Sequence, residues 1–400
     1  MNQQATAAAL NTSEAAIVGG GPVGLLLACL LGRQGIRVTL LEKDTARPAW
    51  SQAIGITPPS LRILSALGIE QSFIDRGVSI RDCHVHGQSG WLGTASFRDI
   101  DGPWRFVLSL PQAVTLERLQ AEAARHPTVE LRTGVEITAL EQDDNGVTLR
   151  GGGQIFSAAY AIACDGHRSR LRDLLGIRTR AHSYGCHFIM GDFSGDAGMG
   201  DEAHLFFTAE GAVESFPLPG KRRRWIVQAR EGSIPGLARQ RAGMLLDPAD
   251  QIDQHAFAPR RLDCENITRG RVLLCGDAAH VMSPIGGQGM NTGFSDAEFA
   301  AQMLHAILRR GQPAAPLLGD YDRIRRGAAS AAASRAALGM GLGVWTGRGR
   351  YLLRDFILRN LAFHGPFARR VGPWFAMQSL PHATLAQVHD SETRRRLGLP

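Results

Sequence analysis

One run near the N-terminus constrains the fold more than any other: "AAIVGGGPVGLLLACLLGRQGIRVTLLEK", residues 15–43. "AAIV" is an apolar segment that breaks into glycine, which predicts a buried strand. "PVGLLLACLLGRQG" (22–35) predicts a helix closed by Gly35, and "IRVTLLEK" (36–43) a second strand. Together they form a β-α-β unit of about 30 residues, the opening of an α/β fold. Gly19, Gly21 and Gly24 of "GGGPVG" match the spacing G-x-G-x-x-G. In that pattern the first glycine permits a tight turn, the second lets backbone approach a pyrophosphate, and the third allows close helix–strand packing. Pro22 and Val23 open the helix, whose unpaired N–H groups and positive dipole end suit phosphates. Glu42, followed by Lys43, ends the next strand, where a carboxylate accepts hydrogen bonds from a ribose diol. This loop alone leaves NAD and FAD both open.

A second glycine-rich stretch lies far downstream: "CGDAAHVMSPIGGQGMN", residues 275–291. The apolar "RVLLC" before it predicts a strand delivering Gly276 and Asp277 at its C-terminal end, where ligands bind in open α/β sheets. Asp277 can bond a polyhydroxylated chain. "SPIGGQGMN" reads as flexible, nearly side-chain-free backbone that can lie against a flat ring, with Asn291 beyond it, and "SDAEFAAQMLHAILRRG" (295–311) as a helix. The stretch therefore reads as a second contact region for a long cofactor.

The rest of the 400 residues supports a soluble, cytoplasmic α/β protein. The six Cys show no C-x-x-C pair, which favours a reducing compartment. The N-terminus lacks a basic, then apolar, leader pattern, and "LLLACLL" (25–31) is too short to span a bilayer. The net charge of +7 comes mainly from short Arg runs without interleaved aromatic platforms, so nucleic acid is not an expected partner. "RGRYLLRDFILRNLAFHGPFARR" (348–370) is cationic and amphipathic. It reads as a packed or surface helix, with weak membrane-surface docking or a gate for a lipophilic substrate as the sharper alternatives.

The predicted organisation is a lead-in without structure at 1–13 and a nucleotide-binding domain at 14–78, 100–182 and 266–330. A mixed β-sheet domain at 79–99 and 183–265 interrupts it, and a helical region follows at 331–400. Within the sheet domain His204, Phe206, Glu214, Phe216 and Trp225 alternate in a way compatible with a pocket wall, but core packing or solvent exposure is the reading adopted for each. His84, His86, His182, His187, His204 and His280 lack metal-ligand spacing and read as structural; no metal is expected. Nothing in the sequence specifies an oligomeric state.

Three motifs in order, "GGGPVG", "CDGHRSRLR" (164–172) and "CGDAAHVMSPIGGQG", resemble the class A flavin monooxygenases, the para-hydroxybenzoate hydroxylase-like family. The resemblance spans roughly residues 14–330. It implies a Rossmann-like FAD-binding domain interrupted by a mixed β-sheet substrate domain, with a helical C-terminal region. It also implies that Asp165, Gly166, Ser169 and Arg172 serve FAD and the nicotinamide cofactor. "LPQAVTLERL" (110–119) is similar to the family's Gln-containing helix, which places Gln112 near the ribityl chain and makes Glu117 and Leu119 pattern positions. "LLGDYDRIRR" (317–326) is similar to its late Tyr-to-Arg helix. The backbone around Pro284 and from Gly286 through Gly287 and Gln288 to Gly289, with Met290 and Asn291 beyond, is implied to line the flavin face where oxygen reacts. Pro284, Gly287 and Gly289 are thereby the implied catalytic positions.

Two departures fall near the flavin: Gln52 stands where the family often carries Arg, with Arg47 earlier, and "PPSL" (58–61) replaces "PRTL". A second dinucleotide loop is absent, as expected where NADH or NADPH binds only transiently, and so is the Trp-x-Trp-x-x-Pro of flavin halogenases. The implied activity is hydroxylation of a small aromatic substrate (a phenol, quinolone or polyketide-like ring) with O2 and NAD(P)H, through a flavin C4a-hydroperoxide. Epoxidation, Baeyer–Villiger insertion or antibiotic inactivation on the same fold is one alternative, and a non-catalytic flavin-binding accessory protein is another.

Overall fold

The computed structural model describes residues 11–46, 53–284, 287–343, 347–364 and 367–378. Arg47, Gln52 and Gly286, named above, lie outside them. A sheet of eight strands forms the first layer, with Thr268–Arg269, Val272–Leu274, Gln154–Ala163, Asn11–Val18, Val38–Glu42 and Val129–Thr133 side by side. The middle strands run parallel, Asn11–Val18 lying between Gln154–Ala163 and Val38–Glu42. Their near-continuous apolar sequences fit strands covered on both faces. Helix Pro22–Arg33 and the 23-residue helix Gln288–Arg310 cover this sheet, burying Leu25, Leu27, Phe294 and Phe299 among others. The meander Ile137–Gln142 and Val147–Gly151 pairs antiparallel onto the edge of Gln154–Ala163.

A second sheet of seven strands follows the order His255–Phe257, Phe188–Ser194, Arg222–Gln228, Gly211–Leu218, Ala203–Thr208, Asp82–Gly87 and Gly90–Ser96. One face packs Ile189, Val213, Trp225 and Val227 against helix Ile234–Ala242. The opposite face packs Leu205, Phe207 and Val85 toward Leu358 and Phe363 of the C-terminal helices.

Four expected boundaries shift. Residues 11–13 are not lead-in: they extend the first strand, with Asn11 opposite Phe156 and Ser13 opposite Ala158. The boundary at 330/331 falls inside the helix Ala314–Gly343, where Ala328, Ala332 and Ala336 continue one buried stripe. Arg260–Cys264 leaves the seven-stranded sheet and pairs with Thr179–Ser183 and His280–Val281. Val78–Ile80 pairs with Val107–Ser109, in a three-stranded sheet with Gly55–Ile56. Both small sheets stitch the two large layers together, so neither segment belongs wholly to one.

The chain is apolar enough to build these cores, yet no helix among the described residues is long and apolar enough to cross a membrane.

Candidate active site

Four strand ends open on one edge of the first sheet. The Cys164 N–H donates to the Val18 carbonyl at 2.7 Å, the Cys275 N–H to Ala163 at 2.9 Å, and the Gly19 N–H to Leu41 at 2.8 Å. These ladder bonds fix the first glycine loop, the Asp165 turn, the Gly276–Asp277 turn and Glu42 beside one another, at the carboxyl ends where such sheets bind ligands.

In the first loop Gly19 has φ of +109°, and a side chain there would run into the Cys164 carbonyl. Nothing lies within 4 Å of the Cβ position of Gly21. Helix Pro22–Arg33 begins directly after it with no side-chain cap, leaving its first N–H groups to the cleft. Glu42 is held in place by the Gly20 N–H at 2.6 Å and the Asp44 N–H at 2.9 Å. Lys43 is exposed beside it.

In the middle turn Gly166 takes φ of +77°. Asp165 accepts the Arg170 and Leu171 N–H groups on one oxygen, while its Oδ1 is buried without a hydrogen-bond partner among the described residues. Burial raises its carboxyl, and those hydrogen bonds oppose the rise. Buried Arg172 donates to the carbonyls of Ala278 and His167, tying this turn to the next.

The Gly276–Asp277 turn rests on a buried ionic centre. Asp296 accepts the Gly276 N–H at 3.0 Å, His280 Nε2 lies 2.7 Å from the same oxygen, and Arg325 Nε donates to the other at 2.7 Å. Burial alone would raise the Asp296 carboxyl, but His280 and Arg325 hold it at about 2. Tyr321, one turn before Arg325, donates to the Leu274 carbonyl at 2.8 Å. The late Tyr-to-Arg helix therefore acts on the second motif by supporting it from behind. Asp277 itself projects into the cleft, accessible from it but surrounded by protein; this desolvation raises its carboxyl against the pull of His280 and Arg260.

From Gly287 onward the chain is more regular than its glycines suggest. Gly287 has φ of +63° and leads straight into the helix from Gln288, seven residues before the predicted start, so Gln288, Gly289, Met290 and Asn291 form its first turn. Gly289 lies beside Asp277, an added Cβ standing 3.9 Å from the carboxylate. The Gln288 side-chain oxygen is buried and unpartnered among the described residues. Asn291 is an internal tie. Its Oδ1 accepts from the Thr57 N–H, Thr57 Oγ1 and Ser60 Oγ, and its Nδ2 donates to the Gly55 and Gly287 carbonyls. Gln112 opens the helix Gln112–Ala123, half-buried after Pro111; Leu119 of that helix is buried and Glu117 exposed.

Asp277, Pro284, Gly287 and Gly289 line one end of a cavity of about 1050 Å³ whose far wall is the seven-stranded sheet. That is at the upper end of the roughly 300–1,000 Å³ usual for small-molecule sites. Strand register decides which sheet residues reach it. Leu205 faces Glu214, and Phe216 faces Arg224, on the cavity side. His204 pairs with Ser215 and Phe206 with Val213, so both lie on the opposite face, as does Trp225. Glu214 and Phe216 thus line the pocket, contrary to the core or solvent reading of the sequence. His204 stacks on His86, and His84 pairs with Glu202 at 2.8 Å. No grouping of His, Cys, Asp and Glu among the described residues suits a metal ion.

The open cradle at Gly21, the uncapped helix start and the unpartnered Asp165 and Gln288 oxygens fit a phosphate-bearing cofactor with a long polar chain. A sequence profile described as an FAD binding domain matches residues 12–336. The chain belongs to this FAD-binding family. Its cofactor is FAD. The family's relatives include monooxygenases. The chain is 33% identical to rifampicin monooxygenase of Streptomyces venezuelae over 70% of its length, spanning 61% of that protein. It is 30% identical to a 3-(3-hydroxy-phenyl)propionate/3-hydroxycinnamic acid hydroxylase of Burkholderia vietnamiensis, over 88% of this chain and 67% of that one. The solved structure of an anhydrotetracycline hydroxylase from Streptomyces rimosus superposes with a TM-score of 0.78 at 28% identity, covering 92% of this chain and 76% of that one.

Proposed function

We propose that this flavoprotein is an aromatic hydroxylase that uses NADPH or NADH as a transient reductant and O2 as oxygen donor. The observation that carries the reading is a cavity shared by Asp277, Pro284, Gly287 and Gly289 with the apolar wall of the second sheet. Bound FAD would supply electron transfer from NAD(P)H and oxygen activation at its C4a carbon.

The protein's own residues divide the remaining work. Gly19 to Gly24 and the following helix start would take the pyrophosphate, Glu42 the ribose, and Asp277 the ribityl hydroxyls. The backbone of Pro284, Gly287 and Gly289 would face the ring, while Leu205, Phe207 and Phe216 exclude water from the substrate side. A small aromatic substrate with a phenol- or polyketide-like ring matches both this wall and the names of the relatives.

The test is steady-state oxidation of NADPH and NADH by FAD-loaded protein, with a panel of phenols and polycyclic phenols. The expected result is ligand-stimulated oxidation and a product heavier by one oxygen atom. A flavin that no reductant bleaches with any ligand overturns the reading.

A further inference from the structure

The cavity contains one acidic side chain that neither cofactor binding nor internal pairing uses. Glu214 lies mid-strand in Gly211–Leu218, 4% exposed, with its side chain on the cavity face. Burial acts on its carboxyl with no hydrogen bond or charge offsetting it. Its neighbours across the strands are Leu205 and Ile226, and Cys83 stands nearby with its thiol pushed by burial to about 12, and so neutral. The cations around the cavity are placed elsewhere. Arg224 is held by both oxygens of Asp192, at 2.6 and 3.0 Å; Arg370 is exposed at the helical rim; Arg260 acts on Asp277; Arg168 is exposed beside the Asp165 turn. An acid buried in an apolar wall without a partner costs stability, and a ligand donor is what would repay it.

We propose that Glu214 accepts the hydrogen bond, and then the proton, of a hydroxyl on the substrate ring, selecting neutral phenolic rings and rejecting those that carry a carboxylate. The assignment rests on the hydroxylase reading above and names the substrate class for it. Burial alone raises the carboxyl to about 7, near the range where a general base exchanges protons effectively. The O–H bond breaks as the carboxylate takes the proton, and its electron pair moves into the ring. The ring carbon ortho or para to that oxygen then receives the oxygen atom. Loss of the proton from that carbon restores aromaticity, and the Glu214 carboxyl returns its proton to the phenolate oxygen. Over the cycle one O2 and one NAD(P)H with a proton give the hydroxylated ring, water and NAD(P)+. The hydroxylase relative whose name specifies a propionate acts on an acidic substrate; a second carboxylate beside Glu214 would meet like charge in a low-dielectric wall.

The experiment measures binding to FAD-loaded protein at pH 8 with three fluorescent probes: 2-naphthol, 2-methoxynaphthalene and 6-hydroxy-2-naphthoic acid. The wild type is expected to bind 2-naphthol about tenfold more tightly than the ether, the worth of one hydrogen bond to a charged acceptor. It is expected to bind the hydroxynaphthoate at least about tenfold more weakly than 2-naphthol. Glu214→Met should bind naphthol and ether within about twofold of each other, and Glu214→Gln should admit the hydroxynaphthoate. Equal affinity of the wild type for naphthol and ether overturns the proposal, as does tight binding of the hydroxynaphthoate or a naphthol preference that survives in Glu214→Met. The wild-type comparison holds even where a variant fails to fold. Glu214-dependent naphthol binding without any ligand-stimulated NAD(P)H oxidation would sink the hydroxylase reading and leave this assignment standing. Stimulated oxidation with a preference indifferent to Glu214 would do the reverse.

Discussion

At the scale of single residues, the site depends on charges buried behind the Gly276 turn. Asp296 holds the Gly276 turn through one oxygen and balances His280 and Arg325, all three buried. Asp296→Asn leaves Arg325 buried without its counter-charge, and removing one member of such a group costs about 3 kcal/mol or more. The expected outcome is a lower urea midpoint together with weaker FAD retention. Full retention in a folded variant would separate the ionic centre from the turn. Because the folded carboxyl titrates at about 2, below its ordinary 3.8, its contribution is present above about pH 4 and is lost as pH falls toward 2. That contribution is about 2 kcal/mol. Urea titrations from pH 5 to pH 2 should therefore show a shallower loss of stability in Asp296→Asn than in the wild type. Asp277→Ala, by contrast, removes a group in the cleft and should weaken FAD affinity about tenfold with little change in urea midpoint. Of these residues Asp277 was legible, because a strand followed by Gly-Asp is a local pattern. Asp296 was not: its partners stand 16 and 29 residues away in sequence, and only the packing of three elements brings them together.

At the scale of elements, the strand-helix-strand opening was legible because its period, glycines and Glu42 all agree over a short run. The sheet wall was not, for a physical reason. Alternation in "HLFFTAEGAVESFPL" separates two faces but does not say which one meets the cofactor. That depends on helix Ile234–Ala242 covering one face and the C-terminal helices approaching the other. The same approach agrees with the packed-helix reading of the Arg-rich stretch. Arg354 is buried against Asp355 and the Phe207 carbonyl, while Leu358, Phe363 and Trp374 line the cavity, so on the proposed function this segment would close its substrate end. Phe363 sits on Gly93 so closely that a side chain at 93 would meet its ring. Phe363→Ala should raise the KM for an aromatic substrate about tenfold. It should also increase H2O2 release per NAD(P)H consumed, with FAD content unchanged. A rise in KM with coupling intact would mean that the helix supplies contact without excluding water.

At the scale of the whole molecule, both layers line the cavity and neither contains it alone; on the proposed function one would present the cofactor and the other the substrate wall. This arrangement predicts coupled stabilisation. FAD at about a hundred times its Kd should add about 2.7 kcal/mol to unfolding. A phenolic ligand should then raise the melting temperature further in the FAD-loaded protein than in the cofactor-free protein, because the flavin would form part of the ligand's contact surface. Phe216→Ala, on the sheet wall, should reduce the ligand's increment and leave that of FAD intact. Asp277→Ala should diminish both, since the second increment depends on the first. Calorimetry on the wild type and these two variants, with FAD and 2-naphthol added singly and together, measures all the increments. A ligand increment independent of FAD would place the ligand outside the shared cavity and divide the two layers into separate binding units.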